Sequence, residues 1–392
     1  MAESVIRVFN GGLKVQPPLS LYIHLPWCVK KCPYCDFNSH AAQRLPEAAY
    51  IDALLLDLER ALPDIWGRRI HTVFFGGGTP SLFSAEGVDR ILTGVRTLTQ
   101  LMPGAEITLE ANPGTVEAAK FAGFREAGVT RVSLGIQSFN PRHLKALGRI
   151  HDDTEARRAA ELAASHFETF NLDLMFALPG QTLAEALADV DTALTFRPPH
   201  LSAYHLTLEP NTPFGHTAPP SLPDDDLAAD MQLAIEARLN DAGMRHYETS
   251  AYARPHHASR HNLNYWQFGD YLGIGAGAHS KLSFHDRILR QMRTKHPQQY
   301  MDAVAQGTHI ADTRALTRDD LPFEFMMNAL RLNEGVPAAL FDERTGLPLV
   351  VCASVLERAR SLGLLERSAT RLKPTLRGQR FLNDLLELFL PD

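Results

Sequence analysis

The stretch SLYIHLPWCVKKCPYCDF, residues 20–37, joins two signals. Its first half, SLYIHLP (20–26), reads as a short strand closed by a proline. Its second half holds Cys28, Cys32 and Cys35 within eight positions, three of the four cysteines in the chain. A strand that opens at its carboxyl end into a loop of thiols puts reactive groups where parallel α/β folds build their sites.

Five further runs repeat the strand pattern: HTVFFGG (71–77), EITLEAN (106–112), RVSLGIQS (131–138), NLDLMFALPG (171–180) and LSAYHLTLEP (201–210). They read as nearly continuous in apolar residues, the expectation for strands covered on both faces. Helices with a 3.6-residue period lie between them, with stripes at Ile51, Leu54, Leu55, Leu58 and Leu62 and at Leu183, Ala186, Leu187, Val190 and Leu194. Alternating β and α units make this an α/β chain around a parallel sheet. Six units are too few for a closed eight-stranded barrel, so the reading favours an open, partial barrel; a doubly wound sheet satisfies the same periodicity.

Under either topology the strand ends face the site. They carry the cysteine loop, then GGGTP (76–80), then Glu110 and Asn112, Gln137, and Asp173. Any one of these, taken singly, reads better as a turn or a cap. Five in register do not.

The remaining organisation is coarser. A Pro-rich connector, PFGHTAPPSLPDDD (213–226), precedes a long helix ending near Gly243, and a segment dense in His, Tyr and Gly runs from 245 to 285. From about 310 the chain turns to Leu-rich helices such as FEFMMNALRL and VCASVLERARSLGLL, which suggests a small helical or winged-helix unit over 310–392. With 45% hydrophobic and 21% charged residues among 392, the chain has the composition of a globular protein with a large core. A net charge of −6 gives no global basic field, so nucleic acid is not an expected partner. The N-terminal MAESVIRVFNGG has no apolar leader core and no stretch is long enough to span a membrane, so a cytoplasmic chain without an integral membrane segment is expected.

Clustered thiols in a reducing compartment are metal ligands or redox groups more often than disulfides. Three thiolates can hold a four-iron cluster and leave one iron open to another ligand. The alternative is a zinc site completed by His24 or His40, although structural zinc usually uses paired knuckles and no second knuckle exists. Cys352, in LPLVVCASVL, reads as a buried small hydrophobe. GIGAGA (273–278) formally fits a dinucleotide pattern, but it lacks the strand-turn-helix context.

The CxxxCxxC spacing, with Tyr34 before the last cysteine and GGGTP one unit later, resembles the radical S-adenosylmethionine superfamily. The resemblance implies a partial (β/α)6 TIM-like barrel and a [4Fe-4S] cluster on Cys28, Cys32 and Cys35 whose open iron binds S-adenosylmethionine. It also implies contacts to that cofactor from Gly77, Gly78 and Thr79 through backbone, from Arg149 to the carboxylate, and from Glu110, Gln137 and Asp173, with Tyr22 beside the cluster. SLYIHLPWC, FFGGGTPS, TLEANPG, RVSLGIQSF, NLDLMFALPGQT and RHNLNYWQFGDYLGIGAGAHS together resemble the coproporphyrinogen oxidase group. On that resemblance residues 1–285 form the core barrel with an extension carrying the HNxxYW segment, and 310–392 form the group's C-terminal helical domain.

Within the group, the oxygen-independent coproporphyrinogen III oxidases have a further cysteine two residues after the third, and a long N-terminal arm. Here that position is Phe37, and 27 residues precede Cys28. CxxxCxxCxF and HNxxYW, the latter as His261, Asn262, Tyr265 and Trp266, are similar to the HemW-type haem chaperones. The resemblance implies haem as a ligand and coproporphyrinogen oxidase activity as absent. It further implies haem-requiring acceptor proteins, respiratory ones included, as partners, an electron donor where the cluster is reduced, and a homodimer as one assembly. His261, Asn262 and Tyr265 are the expected haem contacts, with His256, His257 and His279 as neighbouring imidazoles.

Overall fold

The computed structural model describes residues 12, 13 and 15–391, so the N-terminal run behind the no-leader expectation falls outside it. Six strands, β1 (Leu19–Leu25), β2 (Arg69–Gly77), β3 (Gln100–Ala111), β4 (Arg131–Gln137), β5 (Thr169–Phe176) and β6 (His200–His205), pair side by side in chain order, all parallel. A doubly wound sheet reverses its order at a switch point. This one does not, and the partial (β/α)6 barrel follows. The fifth and sixth strands stop earlier than the sequence suggests, at Phe176 and His205; Ala177 leaves the extended region with φ of 57°.

The covering helices are α1 (Glu47–Ile65), α2 (Ala85–Leu98), α3 (Ala118–Ala127), α4 (Asp153–His166) and α5 (Leu183–Thr195). Their starts are specified locally: Asp152 with Glu155, and Thr182 with Glu185, form reciprocal capping boxes, and Ser84 caps α2. Ile51, Leu54 and Leu58 of the first stripe are fully inside the main apolar core.

The strands are not continuously apolar. Leu21, Ile23 and Leu25, then Val132, Leu134 and Ile136, point outward into the helical core, while Ser20, Tyr22 and His24, then Arg131, Ser133 and Gln137, take the alternate positions. Both faces are covered, but the inner one encloses cavities and is polar. That is the physical reason the expected apolar runs alternate, since successive side chains point to opposite faces.

At one edge the sheet continues through β7 (Arg245–Glu248) and β8 (Ala251–Ala253), both antiparallel. Between these and the other edge comes the short helix α6 (Arg260–Trp266). Beyond β1 the sheet adds β9 (Asp270–Ile274), parallel to it, then antiparallel β10 (His279–Ser283), β11 (Ile288–Arg293) and β12 (Ile310–Ala315). The sheet therefore runs past 285, through Ala315. Its last strand, IADTRA, is exposed along its whole length and carries little apolar signal.

Helices α7 (Pro297–Gln306) and α8 (Asp320–Ala329) follow, the second opening the C-terminal region, where Val336–Pro337 pairs with Arg371–Leu372 between short helices. A second apolar core joins Phe325, Phe341 and Leu356 of that region to Phe268, Ile288 and Leu316 of the sheet extension. Cys352 is buried in it, as expected of a small hydrophobe.

Candidate functional site

The three clustered cysteines sit just beyond β1. Trp27–Cys28 pairs in parallel with His40–Ala41, which folds the loop back on itself, and the Cys35 amide donates to the Cys32 carbonyl at 3.2 Å. The GGGTP turn after β2 clips this loop. The Gly78 amide donates to Leu25, the Thr79 amide donates to Trp27, and Thr79 Oγ1 donates to Cys28 Sγ at 3.5 Å. Glycine is required here: Gly77 has φ of 114°, and a Cβ on it would lie 2.5 Å from the His24 ring. A Cβ on Gly78 would meet the Trp27 carbonyl at 2.5 Å.

A cavity of about 290 Å³ opens inside the barrel mouth. Cys28, Cys32 and Cys35 line one side, Gly77, Gly78 and Thr79 another, and Glu110, Gln137, Arg149 and Asp173 the rest. The thiols ring the space: among the described residues no three His, Cys, Asp or Glu side chains converge as ligands of a single ion. Burial raises the Cys28 and Cys35 thiols above their ordinary pKa. A bound cationic metal core would favour thiolate at such positions.

Arg149 donates through Nη1 to Cys32 Sγ at 3.6 Å and through Nη2 to the Gly135 carbonyl at 2.6 Å. Its buried Nε has no partner. An orphaned guanidinium donor beside the thiols suits a ligand carboxylate. Gln137 adopts φ of 69°, in the left-handed region, at a register shift in β4. A non-glycine residue held there is backbone strain located at the cavity wall.

Two carboxyls share the interior. Burial, and then the nearby Asp173 charge, push Glu110 up to about 8, although the Gly77 amide donates to it at 3.3 Å. Asp173 accepts from Ser133 Oγ at 3.0 Å and Asn171 Nδ2 at 2.8 Å, and is itself raised by burial. The pair offers one group that stays protonated until a cation arrives.

Tyr22 lies in the adjoining space. It lines a second cavity of about 520 Å³, while Gly77, Glu110 and Phe37 line both. The second cavity also holds Tyr265, Trp266, Tyr271, His279, Arg290 and Met327. The structure thus brings Tyr265 of the HNxxYW segment to a cavity wall, but not His261 or Asn262. His261 is 1% exposed, with Nδ1 at 2.8 Å from Thr72 Oγ1 and Nε2 at 3.0 Å from the Tyr265 hydroxyl. Asn262 occupies the first turn of α6, its amide donating to Ser259 Oγ. His261 therefore lies behind the wall with both ring nitrogens engaged, and the half-buried Asn262 lines neither of the two cavities. His257 is further away, beside Thr169 at the amino end of β5.

Several site residues carried no sequence signal. Arg290 and Met327 come from β11 and α8 and reach the cavity only through the sheet extension and the C-terminal region. Ser133 was within reach, being in phase with Arg131 and Gln137 along β4.

Models of two families match the chain: the radical SAM superfamily over residues 22–193 and the HemN C-terminal domain over 316–381. The chain is 51% identical to the heme chaperone HemW of Escherichia coli over 379 residues, 96% of this chain and 99% of that one. It is 49% identical to the heme chaperone HemW of Haemophilus influenzae, with the same coverage of each. Among solved structures, coproporphyrinogen III oxidase (HemN) from Escherichia coli superposes with a TM-score of 0.81 over 95% of this chain and 90% of that one. At 23% identity that likeness concerns the fold alone.

Proposed function

This chain belongs to the HemW family of haem chaperones within the radical SAM superfamily, and on that premise we propose how its residues serve haem carriage. Cys28, Cys32 and Cys35 hold a [4Fe-4S] cluster. Arg149 receives the carboxylate of S-adenosylmethionine on its free Nε, the Gly77–Thr79 backbone accommodates the methionine part, and Glu110, Gln137 and Asp173 supply the remaining polar contacts. When bound and reduced, the cluster supplies an electron that can reach the sulfonium of that ligand. Haem occupies the neighbouring cavity and leaves for haem-requiring acceptor proteins in the cytoplasm.

The observation that carries this reading is the shared wall. Gly77, Glu110 and Phe37 border both cavities, so a ligand at the cluster and a flat apolar ligand next door share a wall made of the Gly77 backbone and the Glu110 and Phe37 side chains. Phe37 stands where the oxidase branch has another cysteine, and this residue, 59% exposed, lines both cavities. No helix of the described residues is long and apolar enough to cross a membrane.

One anaerobic preparation tests it. The reconstituted chain takes up about one haem, shows iron-sulfur absorption, and leaves coproporphyrinogen unconverted in the presence of S-adenosylmethionine. Protoporphyrinogen formation in the same vessel establishes the oxidase instead. In the Cys28→Ala, Cys32→Ala, Cys35→Ala protein, iron and sulfide content falls to background; retention of both removes the cluster assignment.

A further inference from the structure

The larger cavity, at about 520 Å³, is within the roughly 300–1,000 Å³ typical of small-molecule sites. Its aromatic walls, Tyr265, Trp266 and Tyr271, suit a flat macrocycle, and Arg290 is the cation facing it. A haem seated there needs an iron ligand, and an imidazole can serve only with an unused ring lone pair. Three histidines are near enough to compare.

His24 lines the cavity but is fully engaged. Its Nε2 lies 2.8 Å from the Asn38 carbonyl, which can only accept, so Nδ1 must accept from the Tyr22 hydroxyl at 3.0 Å. His261 is engaged the same way. Thr72 Oγ1 donates to Ser20 Oγ at 2.8 Å, so His261 Nδ1 donates to Thr72 and Nε2 accepts from Tyr265. His279 is different: it is the first residue of β10, exposed, on the cavity wall, and among the described residues no hydrogen bond holds its ring.

The backbone that presents His279 is firmly held. In the turn before it, the Gly275 amide donates to Asp57 Oδ2 at 3.2 Å and the Ala276 amide to the Tyr50 hydroxyl at 2.8 Å. The Asn38 amide group donates to the Ala276 and Lys295 carbonyls, both at 2.9 Å. Partial desolvation in the cavity wall, with Lys295 and Arg290 nearby, lowers the pKa of His279, which favours the neutral ring a metal requires.

Resting on the carrier reading, we propose that His279 is the axial ligand to haem iron, with Tyr265 and Trp266 against the macrocycle and Arg290 toward a propionate. His261 is a positioning residue: it holds the Tyr265 hydroxyl and so sets the aromatic wall. Arg290 is already steadied for this, since it donates to the Tyr271 hydroxyl at 2.5 Å and pairs with Glu324.

The test uses the full-length, anaerobically reconstituted chain titrated with hemin, read by Soret absorption and by low-temperature electron paramagnetic resonance of the ferric haem. Iron-sulfur absorption serves as the folding control. His279→Ala loses the histidine-ligated signature and binds at least about tenfold more weakly. Imidazole added to His279→Gly restores the signature. His261→Gln retains histidine ligation with a shifted Soret band. A His279→Ala protein with the wild-type spectrum and affinity overturns the ligand assignment and leaves the carrier reading standing. Loss of the histidine signature in His261→Gln but not in His279→Ala overturns it equally. A wild-type chain that takes up no hemin removes both.

Discussion

At the scale of single residues the site is decided by which polar atoms are already satisfied. Arg149 Nε and the His279 ring are open, while His24 and His261 are closed. Glu110 adds a charge that waits. Its carboxyl is raised from the ordinary 4.5 to about 8 by burial first and by Asp173 second. A raised acid favours its protonated form in the fold, so its stabilising contribution is complete below about 4.5 and is lost as pH rises to about 8. A ligand ammonium reverses the preference, and binding then releases a proton. The affinity for S-adenosylmethionine accordingly rises with pH up to about 8, by at most about tenfold per pH unit, and levels off above. Calorimetry in buffers of different ionisation enthalpy reads that proton. Glu110→Gln abolishes it, and an unchanged pH slope in that variant refutes the assignment.

At the scale of elements the cavity floor depends on α6, a seven-residue helix too short to be stable alone. It is pinned from another strand: Glu106 of β3 accepts from the Arg260 amide at 3.2 Å and the His261 amide at 3.0 Å, beside the Ser259 cap. A carboxylate at orphan amides of a helix start contributes about 0.5–2 kcal/mol. Glu106→Ala is expected to lower stability by that amount and to speed amide exchange over 260–267, leaving the cysteine loop protected. Exchange that is unchanged there, or equally fast in the cysteine loop, counts against a local anchor. The element pattern itself was largely readable, because six strands, their helical stripes and the polar strand ends follow from periodicity. What escaped was the polar inner phase of each strand. Ser133 looks like an interruption in an apolar run until the inner side of the sheet shows it lining one space with the expected Gln137 and Asp173.

For the whole molecule, the joint between barrel and extension is a buried charge cluster. Asp57 of α1 accepts from Arg293 of β11 at 3.3 Å, from the Tyr300 hydroxyl at 2.8 Å and from the Gly275 amide, with His309 Nε2 at 3.0 Å. Burial works against its charge, but Arg293 and His309 hold the Asp57 carboxyl below its usual range. A depressed carboxylate stabilises above its unfolded pKa and loses that contribution as pH falls through the lower folded value. Removing one partner of such a pair leaves an uncompensated charge, at a cost of about 3–5 kcal/mol. Asp57→Ala therefore lowers the thermal midpoint and also weakens haem uptake, since the Gly275–Gly277 turn borders the cavity. Asp57→Asn, which retains acceptors, loses less. A large fall in midpoint with unchanged haem affinity separates this joint from the site.

Local order alone settled a good deal: the spacing of Cys28, Cys32 and Cys35 places three thiols on one loop, and the 2.0 and 3.6 periods specify strands and covering helices, because both depend on near neighbours. Tertiary structure alone decided which imidazole is free. His261 loses its lone pair to contacts that begin 189 residues away at Thr72, and His279 shares its cavity with Met327, brought in by a separate apolar core. Saturation of a hydrogen-bonding group depends on every side chain that folding delivers to it, and no window along the chain contains that information.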